Sequence, residues 1–356
     1  MPIILLLLAL APAPQTGPQG SARAGWEAIQ SGEAEKAASA FREALSINPR
    51  DALSLAGAGV AAHLLGREDE AERSLKRALE LNPDLSYASY MLAQVAYAQG
   101  ELDLAIRSLE RAIKGSPGSR TMMQQLEQWK KEAALHDSFA QRPGERFTIL
   151  FEGPAQKAIA DRVNAVLEQA YVRIGRTLNE YPAETITAIL YTRQQFRDIT
   201  RSPSWAAGVY DGRIRIPVQG ALRSPAELDR VVVHEYVHAV LHSLVPRGVP
   251  TWLNEGLATY LEPGDHAWLT QRLRTATPIP LDRLEDSFER LDGEEALIAY
   301  AESALAARVL VERLGTSFPT FLQYVSNGTP VDEALLLFKI SPADIQREWS
   351  RRAGTR

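Results

Sequence analysis

The pattern of apolar and polar positions divides the chain into a repetitive N-terminal part and a mixed C-terminal part. In the N-terminal part, residues of the same type recur every 34 positions: Gly32, Gly66 and Gly100; Ala37, Ala71 and Ala105; Ala44, Ala78 and Ala112; Pro49, Pro83 and Pro117. Small alanines let paired helices approach closely, the glycine ends the first helix of each pair, and the proline ends the second. The pattern therefore predicts three stacked helix pairs over residues 21–135, closed by a cap helix over 119–135.

The rest of the chain mixes strand and helix patterns. Residues 136–145 are polar and contain Pro-Gly, which predicts a linker. A strand is then expected at 146–151, a helix at 155–178 and a second strand at 186–191. The linker and these elements predict that a second, α+β domain occupies residues 146–356.

A hairpin is predicted over residues 207–218, which read AGVYDGRIRIPV. Asp211-Gly212 favours a tight turn, and the alternating residues after it favour a half-buried strand. Pro217 lacks a backbone donor, so we expect the strand that contains it to lie at the edge of its sheet. Such a strand either binds extended substrate or serves only as structure.

The chemistry is concentrated in the sequence HEYVH at residues 234–238. Ser224 and Pro225 are typical of a helix start, so the motif is expected within a helix over residues 225–244. His234 and His238 would then project from one face, one turn apart, and Glu235 beside them could serve as a general base. Zinc that activates water needs a third protein ligand, and Glu255, in a second predicted helix, is the obvious one.

Other polar residues near these motifs have weaker claims. His242 continues the four-residue spacing. It could donate a hydrogen bond to a ligating side chain, contact a substrate or be a partly exposed histidine, but we do not expect it to be a ligand. Asn254 and Thr259 are candidates to accept the second ring proton of a ligating histidine, or they are ordinary cap or surface residues.

With its downstream WLNEGLATY, HEYVH resembles the gluzincin zinc metallopeptidases, and in particular bacterial peptidase MA-like domains. The resemblance implies a zincin-like peptidase domain that holds one Zn²⁺ per chain on His234, His238 and Glu255, with Glu235 as catalytic base. A metzincin pattern fails, because Leu241 and Leu244 stand where it needs glycine and histidine.

Tyr300 lies in a segment that resembles one these domains place near the metal. Its phenol could donate to the oxyanion that forms when water attacks a carbonyl. The alternative is a tyrosine of the helical core.

The 34-residue repeats resemble tetratricopeptide repeats, with alanine at positions 28, 62 and 96 where tyrosine is usual. The fold class we expect is therefore an all-α tetratricopeptide solenoid followed by an α+β zincin-like metallopeptidase domain. Such repeats imply a protein partner or the recruitment of a substrate, although a spacer has the same pattern.

The N-terminus adds a prediction about location. Residues 1–20 contain an apolar run from Ile3 to Ala11, which is too short to span a bilayer but typical of a signal peptide, so we expect export to the periplasm or the medium. No basic residue precedes the run. The chain has no cysteine, and its net charge of −5 gives no bias toward nucleic acid.

The function that these observations favour is the hydrolysis of peptide bonds by metal-activated water, without a membrane span in the mature chain. One alternative is an interaction or scaffold protein with a structural or inactive zinc site. Another is an enzyme that uses the same site on an amide or ester other than a peptide.

Overall fold

The computed structural model describes residues 20–354, except for positions 201–206, 220–223, 247, 275, 277–278, 286–287, 289–290 and 292. By its internal contacts the chain divides into two compact units, residues 1–137 and 138–356. The signal peptide predicted over residues 1–20 lies outside the described residues except for Gly20. None of the helices in the described ranges has the length and apolar character needed to cross a membrane.

The first unit is a stack of helix pairs. Its helices are Gly20–Gln30 (α1), Ala34–Ile47 (α2), Ala52–Leu64 (α3), Glu68–Leu81 (α4), Ser86–Ala98 (α5), Leu102–Gly115 (α6) and Arg120–His136 (α7). The repeated alanines Ala37, Ala71, Ala105, Ala78 and Ala112 are buried between the helices, as are the large residues Phe41, Leu75 and Leu109, whereas Ala44 is half-buried. Gly32, Gly66 and Gly100 have φ of 75°, 69° and 83°, a conformation that favours glycine, so each ends a first helix as predicted.

The second unit combines one sheet with helices. Its strands are Ala140–Arg142 (β1), Phe147–Phe151 (β2), Ile186–Thr192 (β3), Val209–Tyr210 (β4) and Ile214–Gln219 (β5). Its α-helices are Lys157–Leu178 (α8), Arg193–Thr200 (α9), Pro225–Leu244 (α10), Thr251–Tyr260 (α11), Ala267–Leu273 (α12), Gly293–Leu314 (α13), Phe318–Ser326 (α14), Val331–Leu337 (α15) and Pro342–Ala353 (α16). The predicted α+β class is confirmed.

The strand order is β1-β2-β3-β5-β4, in which β2, β3 and β5 are parallel and both edge strands are antiparallel to their neighbours. The prediction that the strand with Pro217 lies at the edge is wrong: β5 pairs with β3 on one side and β4 on the other. The edge is β4, the first arm of the same hairpin. Pro217 is tolerated there because, among the described residues, β4 pairs with β5 only as far as Arg215, which leaves that side of β5 without a strand partner at Pro217.

Part of the predicted linker is also structured. Residues 140–142, within the stretch 136–145, form β1 and pair with Ile149, Leu150 and Phe151 of β2. The sequence Ala-Gln-Arg has no strand pattern of its own, so this strand exists because the edge of β2 offers it backbone partners.

Helix α10 packs against the sheet and against α8. Its valines at 231, 232, 233, 237 and 240 are buried in one core with Ile214 and Ile216 of β5. Because this apolar surface fixes the helix on the sheet, the polar residues between the valines are held in a defined orientation.

Candidate metal centre

Helix α10 presents the two histidines of the HEYVH motif side by side. The Ser224 side chain accepts a hydrogen bond from the backbone N–H of Glu227, and Pro225 occupies the first turn, so the helix begins where the sequence predicts. His234 and His238 are one turn apart, with ring centroids separated by 4.8 Å. Both side chains are largely buried, at 15% and 12% exposed.

Glu255 of α11 completes a cluster of three groups that could hold a metal ion. Its Oε2 lies 3.3 Å from Nε2 of His234 and 3.6 Å from Nε2 of His238. Ligand atoms at the usual zinc distances in a tetrahedral shell are about 3.3 Å apart. The two imidazoles and the carboxylate could therefore hold a metal ion, and the two distances to Glu255 are close to those in a tetrahedral shell.

The remaining nitrogen of each imidazole is held by a hydrogen-bond partner. Nδ1 of His234 lies 2.8 Å from Oε1 of Glu262, and Nδ1 of His238 lies 3.1 Å from Oδ1 of Asn254. Since both acceptors require a proton on Nδ1, Nε2 is the nitrogen of each ring that faces Glu255 and would offer its lone pair to a metal ion. Glu262, which is 3% exposed, is itself paired with Arg230 at 3.3 Å.

The charges within the cluster interact strongly. Burial opposes protonation of His234, but hydrogen bonds to Glu255 and Glu262 outweigh it and raise the pKa well above its ordinary value. Burial lowers the pKa of His238. For Glu255, burial is outweighed by the two histidines and Tyr300, which together lower its pKa. A metal ion would take the place of the His234 proton between these groups, because ligating imidazoles are neutral.

Glu235 lies beside the cluster without belonging to it. Its side chain is 5% exposed, and burial, followed by the negative charges of Glu255, Glu262 and Asp211, raises its pKa to about 8 against the attraction of His234. A Cβ atom on Gly208 would lie 2.6 Å from Oε1 of Glu235. The backbone just before the edge strand β4 therefore packs directly on this carboxylate, and only glycine leaves room for it.

Tyr300 reaches the cluster from α13. Its hydroxyl donates a hydrogen bond to the Glu255 carboxylate, and its ring centroid lies 6.4 Å from that of His234. Burial and the nearby charges of Glu255 and Glu235 raise the pKa of Tyr300, so its phenol remains a proton donor at neutral pH. Phe288 packs against the same ring at nearly a right angle, with centroids 5.4 Å apart.

Close packing of α11 on α13 brings Glu255 and Tyr300 together. A Cβ atom on Gly256 would lie 2.3 Å from the backbone oxygen of Ser303 and 3.1 Å from Cβ of Ala307. The glycine that follows the acidic residue thus lets two helix backbones meet without a side chain between them. This contact explains in physical terms why the acidic residue is followed by glycine.

The sequence predicted most of these neighbours, and it missed three. Asn254 does contact a histidine, but the partner of His234 is Glu262 and not Thr259. Glu262 lies two residues beyond the end of α11, so helical spacing from Glu255 does not predict its place. Nothing in the sequence around Gly208 and Arg230 indicates that they lie near the cluster. His242 lies outside the cluster, with its ring 5.8 Å from that of Tyr210.

Comparison with known families agrees with this site and fold. The model of the Peptidase MA superfamily matches residues 166–351, more than half of the chain, and the protein belongs to that superfamily. A tetratricopeptide repeat model matches residues 23–85 and again 69–120, so the N-terminal helix pairs are tetratricopeptide repeats. No curated protein matches the chain.

Proposed function

We propose that the protein is a zinc-dependent peptidase that uses Glu235 as its general base. The observation that carries this proposal is the cluster of His234, His238 and Glu255 at the spacing of a tetrahedral zinc shell, with a buried carboxylate beside it. Membership of the Peptidase MA superfamily supports the same reaction class. One zinc ion per chain is expected.

When bound, zinc supplies Lewis acidity, which polarises a substrate carbonyl and makes water a nucleophile near neutral pH. Glu235 accepts the proton of the attacking water and later delivers it to the leaving amine. Its burial supports this role, because a carboxylate in a nonpolar site is more basic than one in water. The positive charge of a metal ion would lower the pKa of Glu235 from about 8, so that more of this carboxyl is ionised and able to accept a proton at neutral pH.

Tyr300 is proposed to stabilise the negative oxygen that forms on the substrate carbonyl. The hydroxyl already donates to Glu255, so it lies at the metal cluster and carries a proton that can be redirected. A donor placed where charge develops in the transition state raises the rate of the chemical step.

The edge strand β4 is proposed to bind the substrate by adding it to the sheet. Within the described residues, β4 is the last strand in the order, and the residue that precedes it packs on Glu235. An extended peptide paired with β4 would therefore pass in front of the base. The preferred substrate in this proposal is an extended segment of a peptide or protein.

The repeats are proposed to recruit a substrate or a partner protein, because stacked helix pairs offer a concave face for protein contacts. Export is proposed from the apolar run at residues 3–11. Neither proposal is required for the catalytic one.

The test compares wild-type protein with Glu235→Gln, which keeps the size of the side chain and removes its basicity. Zinc content and melting temperature are expected to change little, while cleavage of a peptide library falls roughly a hundredfold or more. Glu333→Gln, which changes an exposed carboxylate on α15, is the matched control and should behave as wild type. Equal activity of wild type and Glu235→Gln would refute the mechanism, and zinc-bound wild type without any cleavage would favour the interaction-protein alternative.

A further inference from the structure

A small cavity in the repeat unit is independent of the metal cluster. Its volume is about 220 Å³, and its lining includes Trp26, Leu53, Ala56, Asp84, Tyr87 and Ser116. These residues come from α1, α3 and α5, the first helices of the three repeats, from the turn before α5 and from the residue that follows α6. Pockets for drug-sized molecules are usually roughly 300–1,000 Å³, so this cavity suits a single amino-acid side chain.

Two aromatic rings form a rigid wall of the cavity. The Trp26 and Tyr87 ring centroids are 5.6 Å apart at an interplanar angle of 64°. Trp26 is supported from behind by Phe41, at 5.3 Å and 76°. Tyr87 is 6% exposed, whereas Trp26 is only half-buried and keeps part of its surface toward the cavity. An open indole held by two other rings is suited to binding a flat or cationic group.

A negative charge lies at the same cavity. Asp84 is exposed, and its backbone N–H donates to Oδ1 of Asn82, which fixes the turn. Among the described residues 20–137, the Asp84 carboxylate forms no ion pair. The neighbouring Arg111 instead donates from Nε to the backbone oxygen of Pro83 at 3.0 Å.

The repeat fold itself does not require these residues. One period before and after Asp84 stand Arg50 and Gly118 (84 − 34 and 84 + 34). The positions equivalent to Tyr87 are Leu53 and Thr121, and those equivalent to Trp26 are Val60 and Gln94. An indole, a phenol and a carboxylate thus meet once, at positions where the other repeats have unrelated side chains.

We propose that this cavity binds the side chain of an arginine from an extended peptide segment. The planar guanidinium stacks on Trp26 and pairs with the Asp84 carboxylate, two interactions that arginine combines better than lysine does. The proposal adds a specificity element to the repeats and stands whether or not the metal centre is catalytic.

The experiment titrates the full chain with N-acetyl-L-arginine methylamide and follows the indole N–H signals by NMR. The Trp26 signal is assigned with Trp26→Phe. It should shift saturably, with a dissociation constant in the millimolar range because a single side chain makes few contacts. The citrulline analogue, which has the same shape without the charge, should bind with a dissociation constant at least about tenfold larger. The dissociation constant of the lysine analogue should lie between those of arginine and citrulline.

Asp84→Asn should increase the dissociation constant of the arginine probe roughly threefold to tenfold, while the rest of the spectrum stays the same. Asp103→Asn, which changes an exposed carboxylate on α6 away from the cavity, is the matched control and should have no effect. The proposal is overturned if the Trp26 signal does not move, if citrulline binds as well as arginine, or if Asp84→Asn binds like wild type. Stronger binding of N-acetyl-L-glutamate methylamide would also overturn it and would point to Arg111.

Discussion

Replacing Glu262 tests whether the hydrogen-bond partners of the histidines control the metal site. Glu262 is almost fully buried, and its Oε1 is 2.8 Å from Nδ1 of His234. Glu262→Gln keeps an acceptor of the same shape for Nδ1 but removes the negative charge, so the imidazole becomes a weaker electron donor to zinc. Arg230, which is 42% exposed, loses its partner but can be solvated at little cost.

The expected effect of Glu262→Gln is a zinc dissociation constant about ten- to a hundredfold larger, which corresponds to about 1.4–2.7 kcal/mol. The measurement is competition with a chromophoric chelator at fixed pH, and it requires no enzymatic activity. Glu333→Gln again serves as the matched surface control. Glu262→Ala should increase the zinc dissociation constant more than Glu262→Gln does, because it also removes the hydrogen bond that orients the His234 ring. A dissociation constant within about twofold of wild type for both Glu262 variants would refute the argument that Glu262 supports His234.

Two further predictions follow from α13. Tyr300→Phe should lower kcat by about ten- to a thousandfold with little change in KM, as expected for a donor that acts only in the transition state; a change confined to KM would contradict this role. Glu302 is fully buried and accepts the Ile279 N–H at 3.0 Å, and burial raises its pKa from 4.5 to about 7. Because its folded pKa lies above its unfolded one, its contribution to stability is fully present below pH 4.5 and is lost as the pH rises to about 7. Glu302→Gln should therefore reduce the loss of stability between pH 5 and pH 8 by at most about 3 kcal/mol, and equal pH dependence of the two melting temperatures would contradict the assignment.

The features that the sequence predicted correctly are specified by residues close together in the chain. Ser224 and Pro225 determine where α10 begins. Because His234 and His238 are four residues apart within that helix, they lie on one face, and this follows without any knowledge of the fold. The 34-residue period also predicts structure from nearby residues, because each glycine and alanine marks the same place in the helix pair of its own repeat. Local capping and periodicity were therefore enough to predict the helices that carry the cluster.

The features that the sequence missed depend on contacts between distant segments. Whether β4 or β5 forms the edge is decided by strand order, and the pattern of each strand is compatible with either place. The contact of Gly208 with Glu235 joins residues 27 positions apart (235 − 208), with strands β4 and β5 and the first half of α10 between them. A glycine before a strand looks the same in a sequence whether its missing side chain matters or not.

The packing of Gly208 on Glu235 also limits how a peptidase of this design can be altered. The backbone at Gly208, just before the strand proposed to receive substrate, contacts Glu235 without space for even a methyl group. A substitution of Gly208 that aimed to change selectivity would therefore displace the proposed base. Tyr210, two residues after Gly208, packs against His242, which lies about two turns beyond Glu235 on α10. Under the proposed function, in which β4 receives the substrate, this pair is therefore the natural target for libraries that aim to change which peptides are cleaved without altering Glu235.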